Sequence, residues 1–485
     1  MSEFVNIETS QDFKIFNKIA QMYYGKISIV ICAGMSKLVA EILKTTWYHN
    51  LYVIDSKLNS ENFDNQMNIN KDGIDESYQS IFERVQHFEN SRIYFRQLSL
   101  EAVKEIEEQI NFLFIDHTHS HENISDELCL WLPKIKLGGA IGGHYYGHPD
   151  FPAVKEIVDQ FFGRFSWTIN VEDGYVWWVE KRPLSVSFFI PAFNCATTIN
   201  EAVDSIFAGN FQDGDELVIC NDSSTDNTRE TLLRLKQKYP IIQIVDHKTN
   251  KGGGASRNTA IENSKNPLLF CLDSDNILVP ESVPKLKEFL LASGSDIAAF
   301  GEMHYFRDNK DNVTLKWFFR PETTLADYLS GQVVPGASGN YMFTRESWHR
   351  AGGYPEFAGA LDAWGFGFRQ LATGAKMMAM AHSFYFHRHG HDSYWIREKK
   401  KGKISLTALQ IIIPYVDLIE EKDVNYIFSE QGRNDWFNNL KYRALRVKNA
   451  PKGECGERIY YTNNKSKYTL KNVKKKLKHT LFKQE

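Results

Sequence analysis

The stretch NPLLFCLDSDN, residues 266–276, places two carboxylates directly after an apolar run. An apolar run of about five residues that ends in polar ones is typical of a buried strand running into a loop. A strand needs no carboxylate at its tip, whereas a hard divalent cation bound to a diphosphate needs oxygen ligands there. Asp273 and Asp275 therefore predict a metal-binding strand end.

Three earlier strand-like segments also end in polar groups. They are SFFIPAFN at 187–194, ELVICNDSSTDNT at 216–228 and IIQIVDHKTNKGGGASRN at 241–258. Apolar strands alternate here with helical segments, which predicts a largely parallel sheet with right-handed crossovers. In such sheets, ligands bind in the crevice at the carboxyl ends of the strands. We therefore expect all four segments to line one crevice.

The composition of the 485-residue chain limits the classes of protein to which it can belong. Its length favours two domains. Charged residues make up 24% of the chain and the net charge is -3, which argues against nucleic acid as a partner. The six scattered cysteines show no metal or redox spacing and indicate a reducing cytoplasm. With no secretory signal and no apolar run of bilayer length, we expect a cytoplasmic protein, soluble or peripheral at the inner face of the membrane.

Two α/β patterns follow each other along the chain. Residues 1–182 alternate strands and helices after a first helix-like stretch, which predicts a doubly wound domain. The alternation starts afresh after Pro183, so a second doubly wound domain is expected at 183–398. A helical extension and a Lys-rich tail are expected at 399–485.

In this order and spacing, the blocks IPAFN, VICNDSSTDNT, NKGGGASRNTAI and CLDSDN resemble the nucleotide-sugar half of family 2 glycosyltransferases. The similarity covers about residues 186–395 and implies a GT-A fold. It also implies an enzyme that moves a sugar from a nucleoside diphosphate sugar, with UDP favoured, to a glycan or lipid-linked acceptor in surface polysaccharide synthesis. One departure is Asn221, where many relatives have a first aspartate.

The donor contacts follow from the residues and the resemblance together. Glycines 252–254 allow backbone to lie close to a phosphate, and Arg257 at the start of the next helix can pair with it. Asp222 can accept the N3 proton of a uracil-type base. The resemblance implies that Pro191, Ala192, Asn194 and Asp222 contact the nucleoside. It also implies that Asp273 contacts the ribose or an Mn²⁺ or Mg²⁺ ion, and that Asp275 contacts the ion. Gly253 is our candidate phosphate contact in the glycine run.

The acceptor half, expected at 334–371, resembles the family as well. In relatives, a carboxylate near the head of the helix after a GG-aromatic-x-E segment takes the proton from the acceptor hydroxyl, and Asp362 is the best match. Trp364 and Phe366 would desolvate Asp362 and raise its pKa. Glu356 is the second candidate. The resemblance implies a single displacement that inverts the anomeric centre.

The segment FYFHRHGHDSYW at 384–395 carries histidines at three alternate positions. Alternate residues of an extended segment point the same way, so two of them could reach one ion. Some glycosyltransferases of this architecture complete the metal site with such a histidine, and His389 is our candidate. The alternative is that these are surface or core histidines, since imidazole suits Mn²⁺ better than Mg²⁺.

Residues 27–163 resemble class I S-adenosylmethionine-dependent methyltransferases. The expected first-strand acid and glycine-rich loop are replaced by ICAGMSK, with Cys32 in the acidic position and only Gly34 of the glycines. Asp55 could still hold a ribose, and Asp116 alone remains of a metal-binding cluster found in some relatives. Two interpretations stay open: a working methyltransferase, which would make the chain bifunctional, and a docking or structural module. The altered loop favours the module.

The Lys-rich end at 465–485 spaces its apolar residues three or four apart, at Leu470, Val473, Leu477 and Leu481. This pattern predicts an amphipathic basic helix. It could attach to an anionic membrane surface, where lipid-linked acceptors lie, or pack its leucines on the domain.

A non-catalytic nucleotide-sugar-binding scaffold is the rival function for the chain, but the joint retention of the charged site residues argues against it.

Overall fold

The chain divides into two compact units, Met1–Pro183 (unit 1) and Leu184–Glu485 (unit 2). The computed structural model describes residues 9–23, 28–32, 51–55, 95–96, 102–104, 106–107, 109–116, 121–172, 175–330, 339–390, 394–433, 445–448, 460–461 and 467–468. In the described part of each unit, the strands form one sheet with helices packed on it. The prediction of an α/β chain with two doubly wound domains is confirmed.

The described elements of unit 1 belong to an arrangement of parallel strands with an antiparallel edge. The strands are β1 (Ser28–Cys32), β2 (Leu51–Asp55), β3 (Phe95–Arg96), β4 (Ile110–Asp116), β5 (Ile135–Gly143), β6 (Asn170–Glu172) and β7 (Val176–Glu180), and the helices are α1 (Thr9–Met22), α2 (His121–Trp131) and α3 (Pro152–Gly163). The sheet order is β3-β2-β1-β4-β5-β7-β6, with β6 and β7 antiparallel to their neighbours. The register sets Cys32 level with Asp55 and Asp116 at the carboxyl edge.

Unit 2 alternates strands and helices through its first half. Its strands are β8 (Val186–Ala192), β9 (Glu216–Asn221), β10 (Ile242–Asp246), β11 (Leu268–Cys271), β12 (Ile277–Leu278), β13 (Ile297–Phe306), β14 (Leu315–Phe318), β15 (Glu322–Thr323), β16 (Tyr341–Thr344), β17 (Met377–Arg388), β18 (Tyr460–Tyr461) and β19 (Lys467–Tyr468). Its helices are α4 (Ile199–Phe207), α5 (Thr228–Lys238), α6 (Gly253–Glu262), α7 (Ser282–Ser293), α8 (Leu325–Ser330), α9 (Arg345–Arg350), α10 (Asp362–Ala372), α11 (Tyr394–Lys400), α12 (Lys403–Ile412), α13 (Glu421–Phe428) and α14 (Glu430–Arg433).

The sheet of unit 2 explains why its apolar strands do not alternate with polar residues. The strands β10, β9, β8 and β11 are parallel, and β16 joins them antiparallel to β11. All four residues of β11 are buried, and the first five of β8 are as well. A parallel sheet covered on both faces requires such continuous apolar strands. In β9 and β11 the apolar run is therefore continuous, and the polar residues Asn221 and Asp273 come only where these strands end.

Helices α12 and α13 contribute to the core of unit 2, whereas α11 has no buried residue. From α12, the side chains of Ile404, Ala408, Leu409, Ile411 and Ile412 lie in one hydrophobic cluster with residues of β11, β16 and α10. No helix within the described ranges combines the length and hydropathy that a membrane span needs. The amphipathic helix predicted at 465–485 is described only at Lys467–Tyr468, which form β19 instead of a helix; the rest of this segment lies outside the described ranges.

Candidate active site

The carboxyl ends of the parallel strands of unit 2 meet at one edge. Pro191 and Ala192 at the end of β8 pair in register with Cys220 and Asn221 of β9. The loops that follow are tied together, because the Asn194 side-chain oxygen accepts a hydrogen bond from the Thr225 backbone N–H at 2.8 Å. Asn194 has a left-handed backbone with φ of 49°. The expected crevice therefore has two connected loops on one side.

Phe193 lies beside this loop pair and has an exposed ring, with 40% of the residue accessible. An exposed aromatic ring next to a polar loop offers a flat surface on which a nucleoside base can stack. Phe193 was not among the site residues predicted from the sequence. The signal was present in the sequence, since the aromatic residue stands between an apolar strand and a polar turn at IPAFN.

Asp222 follows β9 and is only 2% exposed. Its two carboxylate oxygens accept hydrogen bonds from the backbone N–H groups of Lys251, at 2.8 Å, and Gly252, at 2.7 Å. Nδ1 of His247 lies 2.7 Å from Oδ1 of Asp222, and Nε2 of His247 lies 3.0 Å from the Thr259 hydroxyl. Asp222 thus holds the glycine loop in place. Its predicted contact with a uracil base stays a prediction and would require this loop to expose the carboxylate.

The glycine run leads into α6 and makes room for an acidic side chain. Gly252 has φ of 94°, where an L side chain is strained. A Cβ added at Gly253 would lie 2.5 Å from Oδ2 of Asp362 and 2.9 Å from Nη1 of Arg257. The lack of a side chain at Gly253 therefore lets Asp362 approach the first turn of α6. The expected phosphate contact of this loop stays a prediction.

Arg257 connects the two predicted halves of the site. Its Nη1 donates to Oδ2 of Asp362 at 2.5 Å, and its Nη2 donates to Oδ1 of Asp273 at 2.7 Å. The guanidinium is largely buried and lies over the Tyr354 ring, with its central carbon 5.6 Å from the ring centroid. Its fork geometry suits it to bridge two carboxylates. From the sequence we predicted a phosphate as the partner of Arg257. No local pattern indicates that Arg257 reaches Asp362, which comes 105 positions later.

Asp362 begins α10 and is 5% exposed. Its Oδ1 accepts a hydrogen bond from the Ala363 backbone N–H at 2.6 Å. Burial raises the pKa of Asp362 above its usual range, although Arg257 beside it acts in the opposite direction. Glu356 is exposed instead, and its Oε1 accepts a hydrogen bond from the Asn258 amide at 3.2 Å. Asp362 is therefore buried and Glu356 exposed, and the burial of Asp362 agrees with the desolvation that the sequence predicted for it.

The loop after β11 carries the predicted metal-binding carboxylates. The Asp273 backbone N–H donates to the Asn340 side-chain oxygen at 2.7 Å, and the Asn340 amide donates to Oδ2 of Asp273 at 3.3 Å. Burial, and secondly the charge of Asp273, raise the pKa of Asp275 to about 7. A half-buried carboxylate that is hard to ionise beside a second carboxylate fits a cation ligand.

Arg388 fixes this loop from β17. Its backbone N–H donates to the Asn276 side-chain oxygen at 3.0 Å, and its Nε donates to the Asp275 backbone oxygen at 3.1 Å. Its guanidinium also pairs with Glu201 of α4. Arg388 was not among the site residues predicted from the sequence, although it stands between the two histidines of HRH. The Arg388 side chain thus keeps the backbone of Asp275 in position.

The neighbouring histidines differ in their partners. Nε2 of His389 lies 2.8 Å from the Thr314 hydroxyl. Nδ1 of His387 is buried without a hydrogen-bond partner, and burial lowers the pKa of this imidazole to about 4. Both rings pack on Tyr305. Over the described residues, no group of three or more His, Cys, Asp or Glu side chains is arranged to hold a metal ion.

The predicted cofactor site of unit 1 is only partly described. Asp55 and Asp116 end β2 and β4 at the same edge, level with Cys32. Gly34 lies outside the described residues. Whether this edge binds S-adenosylmethionine stays a prediction.

Comparison with known proteins supports the glycosyltransferase resemblance of unit 2 and the methyltransferase resemblance of unit 1. Residues 187–353 match the model described as Glycosyl transferase family 2, and residues 22–146 match one described as Methyltransferase domain. A chondroitin synthase of Pasteurella multocida (strain Pm70) is 31% identical over 204 residues, which are 42% of this chain and 20% of that protein. A hyaluronan synthase of Pasteurella multocida is 32% identical over 189 residues, which are 39% of this chain and 18% of that protein.

The chain thus spans about a fifth of the length of these relatives. A crystal structure of S. aureus TarS, residues 1–349, is similar over 52% of this chain and 72% of that one, at 19% identity and a TM-score of 0.39, and no conclusion about this chain rests on it. Residues 187–353 form a domain of glycosyl transferase family 2, which this chain joins to a preceding methyltransferase-like domain.

Proposed function

We propose that unit 2 transfers a sugar from a nucleoside diphosphate sugar, of the UDP type, to a hydroxyl of a glycan or lipid-linked acceptor in polysaccharide synthesis. The family match and the similarity to chondroitin and hyaluronan synthases support this class of reaction. The observation that carries the proposal is the Arg257 bridge between Asp273 and Asp362. It joins a strand end suited to a donor diphosphate to a buried carboxylate suited to take a proton.

The donor would lie along the carboxyl ends of β8, β9 and β11. The base would stack on Phe193 and contact the loop at Asn194, which keeps its polar side chain exposed. Arg257 would donate to the diphosphate, since its fork can serve a phosphate as it serves a carboxylate. The charge that develops on the leaving diphosphate would thus meet a fixed cation.

Asp273 and Asp275 would hold a divalent cation, with water and the diphosphate as the remaining ligands. Mn²⁺ or Mg²⁺ bound there would neutralise charge on the leaving diphosphate. We propose His387 as a second nearby imidazole beside the predicted His389, because the negative charge of Asp273 acts on the His387 ring and Nδ1 of this ring is buried without a hydrogen-bond partner. Arg388 would keep the backbone of Asp275 in position.

Asp362 would act as the general base. The acceptor oxygen would attack the anomeric carbon while its proton passes to Asp362 and the bond to the diphosphate oxygen breaks, which inverts the anomeric centre. The raised pKa of Asp362 suits a group that must gain a proton in the reaction. The stretch GASGN at residues 336–340 is a further candidate for the acceptor loop, and only its last two residues are described.

The test is release of nucleoside diphosphate from UDP-, GDP- and dTDP-sugars in the presence of Mn²⁺. We expect turnover of one donor by the wild type, and its loss in Asp275→Ala. Asp311→Ala, which removes an exposed carboxylate from a loop, is the matched control and should retain full turnover. If no donor is either hydrolysed or bound in calorimetry, the chain is a non-catalytic scaffold and the proposal is wrong.

A further inference from the structure

A pocket of about 280 Å³ lies beside the glycine loop that follows β10. Its walls are residues 250–252, the 3₁₀-helix Glu356–Leu361, and the helices α11 and α12. The side chains that give it chemical character are Lys251, Glu356, Phe357, Tyr394, Glu398 and Lys403. A pocket of this size accommodates a single sugar ring rather than a larger cofactor.

Two aromatic rings in this pocket are open to solvent. Phe357 is 56% exposed and Tyr394 is 41% exposed. Gly359 has φ of 53°, and a Cβ added there would lie 3.2 Å from the Tyr394 hydroxyl oxygen. The glycine therefore leaves the Tyr394 ring free to lie against the 3₁₀-helix. An aromatic face that is exposed beside polar groups suits a ligand with one apolar face and several hydroxyls, which describes a pyranose.

The polar groups of the pocket carry both signs of charge. Glu398 pairs with Lys401 at 3.1 Å, and Glu356 keeps an exposed carboxylate. In the described part of the chain, Lys251 and Lys403 are exposed and have no ion-pair partner. Donors and acceptors are thus both available to sugar hydroxyls. The positive charge of the two lysines also suits a sugar that carries a carboxylate.

The pocket borders the proposed base. The 3₁₀-helix Glu356–Leu361 runs directly into Asp362, and the loop at 250–252 runs into Gly253, which contacts the Asp362 carboxylate. Burial raises the pKa of Tyr394, and the charges of Glu398 and Asp362 add to this effect. A ligand on Tyr394 would therefore lie within electrostatic range of Asp362.

We propose that this pocket binds a hexopyranose residue of the acceptor glycan, with the ring against Tyr394 and Phe357. The inference rests on the proposed function and adds the acceptor subsite to it. Three of its walls lie beyond the residues that match the family model, namely the 3₁₀-helix Glu356–Leu361 and the helices α11 and α12. The choice of acceptor is thus set by a part of the chain outside that match.

Saturation-transfer NMR on the full chain tests the subsite directly. The probes are methyl β-D-glucopyranoside, its 2-acetamido counterpart and its uronic acid counterpart. We expect at least one probe to bind, and binding to weaken about tenfold or more in Tyr394→Ala, as the loss of an aromatic contact implies. Tyr394→Phe keeps the ring and should bind like the wild type. Trp395→Ala removes a comparably exposed aromatic side chain from the same helix outside the pocket, and should also bind normally.

Three outcomes separate this inference from the proposed function. If the wild type hydrolyses a nucleotide sugar but binds none of the probes, the subsite is wrong while the enzyme class stands. If Trp395→Ala weakens binding as much as Tyr394→Ala, the sugar lies elsewhere and the subsite is again wrong. Probe binding that depends on Tyr394, in a chain that neither binds nor hydrolyses any donor, supports a saccharide site and overturns the transferase.

Discussion

Unit 1 and unit 2 both end a set of parallel strands at one edge of a sheet, but the residues at the two edges differ. In unit 2, Arg257 joins two carboxylates from distant segments at that edge. In unit 1, the register sets a thiol, Cys32, where the resemblance requires an acid, level with Asp55 and Asp116. The same architecture therefore supports different chemistry, and function has to be argued from the side chains at the edge.

The largest effect is expected from removing the proposed base of unit 2. Asp362→Asn keeps the size of the side chain but cannot accept a proton, so the rate of sugar transfer should fall by about 10²–10⁴-fold. Glu356→Gln is the matched control and should lose much less. The measurement is kcat with a saturating donor. A greater loss in Glu356→Gln would assign the base to Glu356.

Arg257 should matter to stability as well as to donor binding. Arg257→Ala leaves Asp273 and Asp362 without their shared cation, and a broken buried ion pair costs about 3–5 kcal/mol. Arg229→Ala removes an exposed arginine 3.4 Å from Asp246 and should cost at most about 1 kcal/mol. Thermal unfolding of both variants, followed with a probe in unit 2, gives the comparison. Equal shifts in the two would show that the bridge contributes little.

A smaller and more local effect is expected at the glycine loop. Asp222→Asn replaces an acceptor oxygen by a donor amide, which leaves a backbone N–H of Lys251 or Gly252 unpaired at a cost of about 1–3 kcal/mol. Hydrogen exchange of these two amides should therefore become faster. Asp226→Asn changes a carboxylate that caps a different loop and should leave them unchanged. Unaltered exchange in Asp222→Asn would show that the loop does not depend on Asp222.

The smallest effect is expected in unit 1. Calorimetric titration of the full chain with S-adenosylmethionine should give no binding heat, because the acid and the glycine-rich loop that hold the cofactor in relatives are replaced at Cys32 and in the residues after it. The donor sugar, titrated into the same sample, is the positive control. Clear micromolar binding would make unit 1 a working cofactor domain and end the contrast between the two edges.

The strand ends of the candidate site were predictable because short-range signals mark them. The block CLDSDN shows where β11 stops, and the glycine run shows where α6 starts. The partners of these residues were not predictable. The sequence offers no sign that Asp222 bonds the backbone of Lys251, or that Arg257 reaches Asp362. Such contacts depend on how distant segments pack, which no local pattern encodes.

The histidines illustrate a second limit. Alternation along residues 384–395 predicted His387 and His389 on one side, and both rings do pack on Tyr305. Their other partners come from different segments, since Nε2 of His389 lies 2.8 Å from the Thr314 hydroxyl and the charge of Asp273 acts on His387. Periodicity thus predicts which way a side chain points but not which hydrogen bond it makes.

The burial of α12 in the core of unit 2 bears on how such enzymes diversify. A chain that stopped at residue 353, where the family match ends, would lack Ile404, Ala408 and Ile412 and would expose the apolar surface they cover. The helix α12, which lines the pocket, therefore cannot be exchanged between relatives as a detachable module. A change of glycan partner would have to arise by point substitution on its pocket-facing side, within a scaffold that the rest of the domain needs in order to fold.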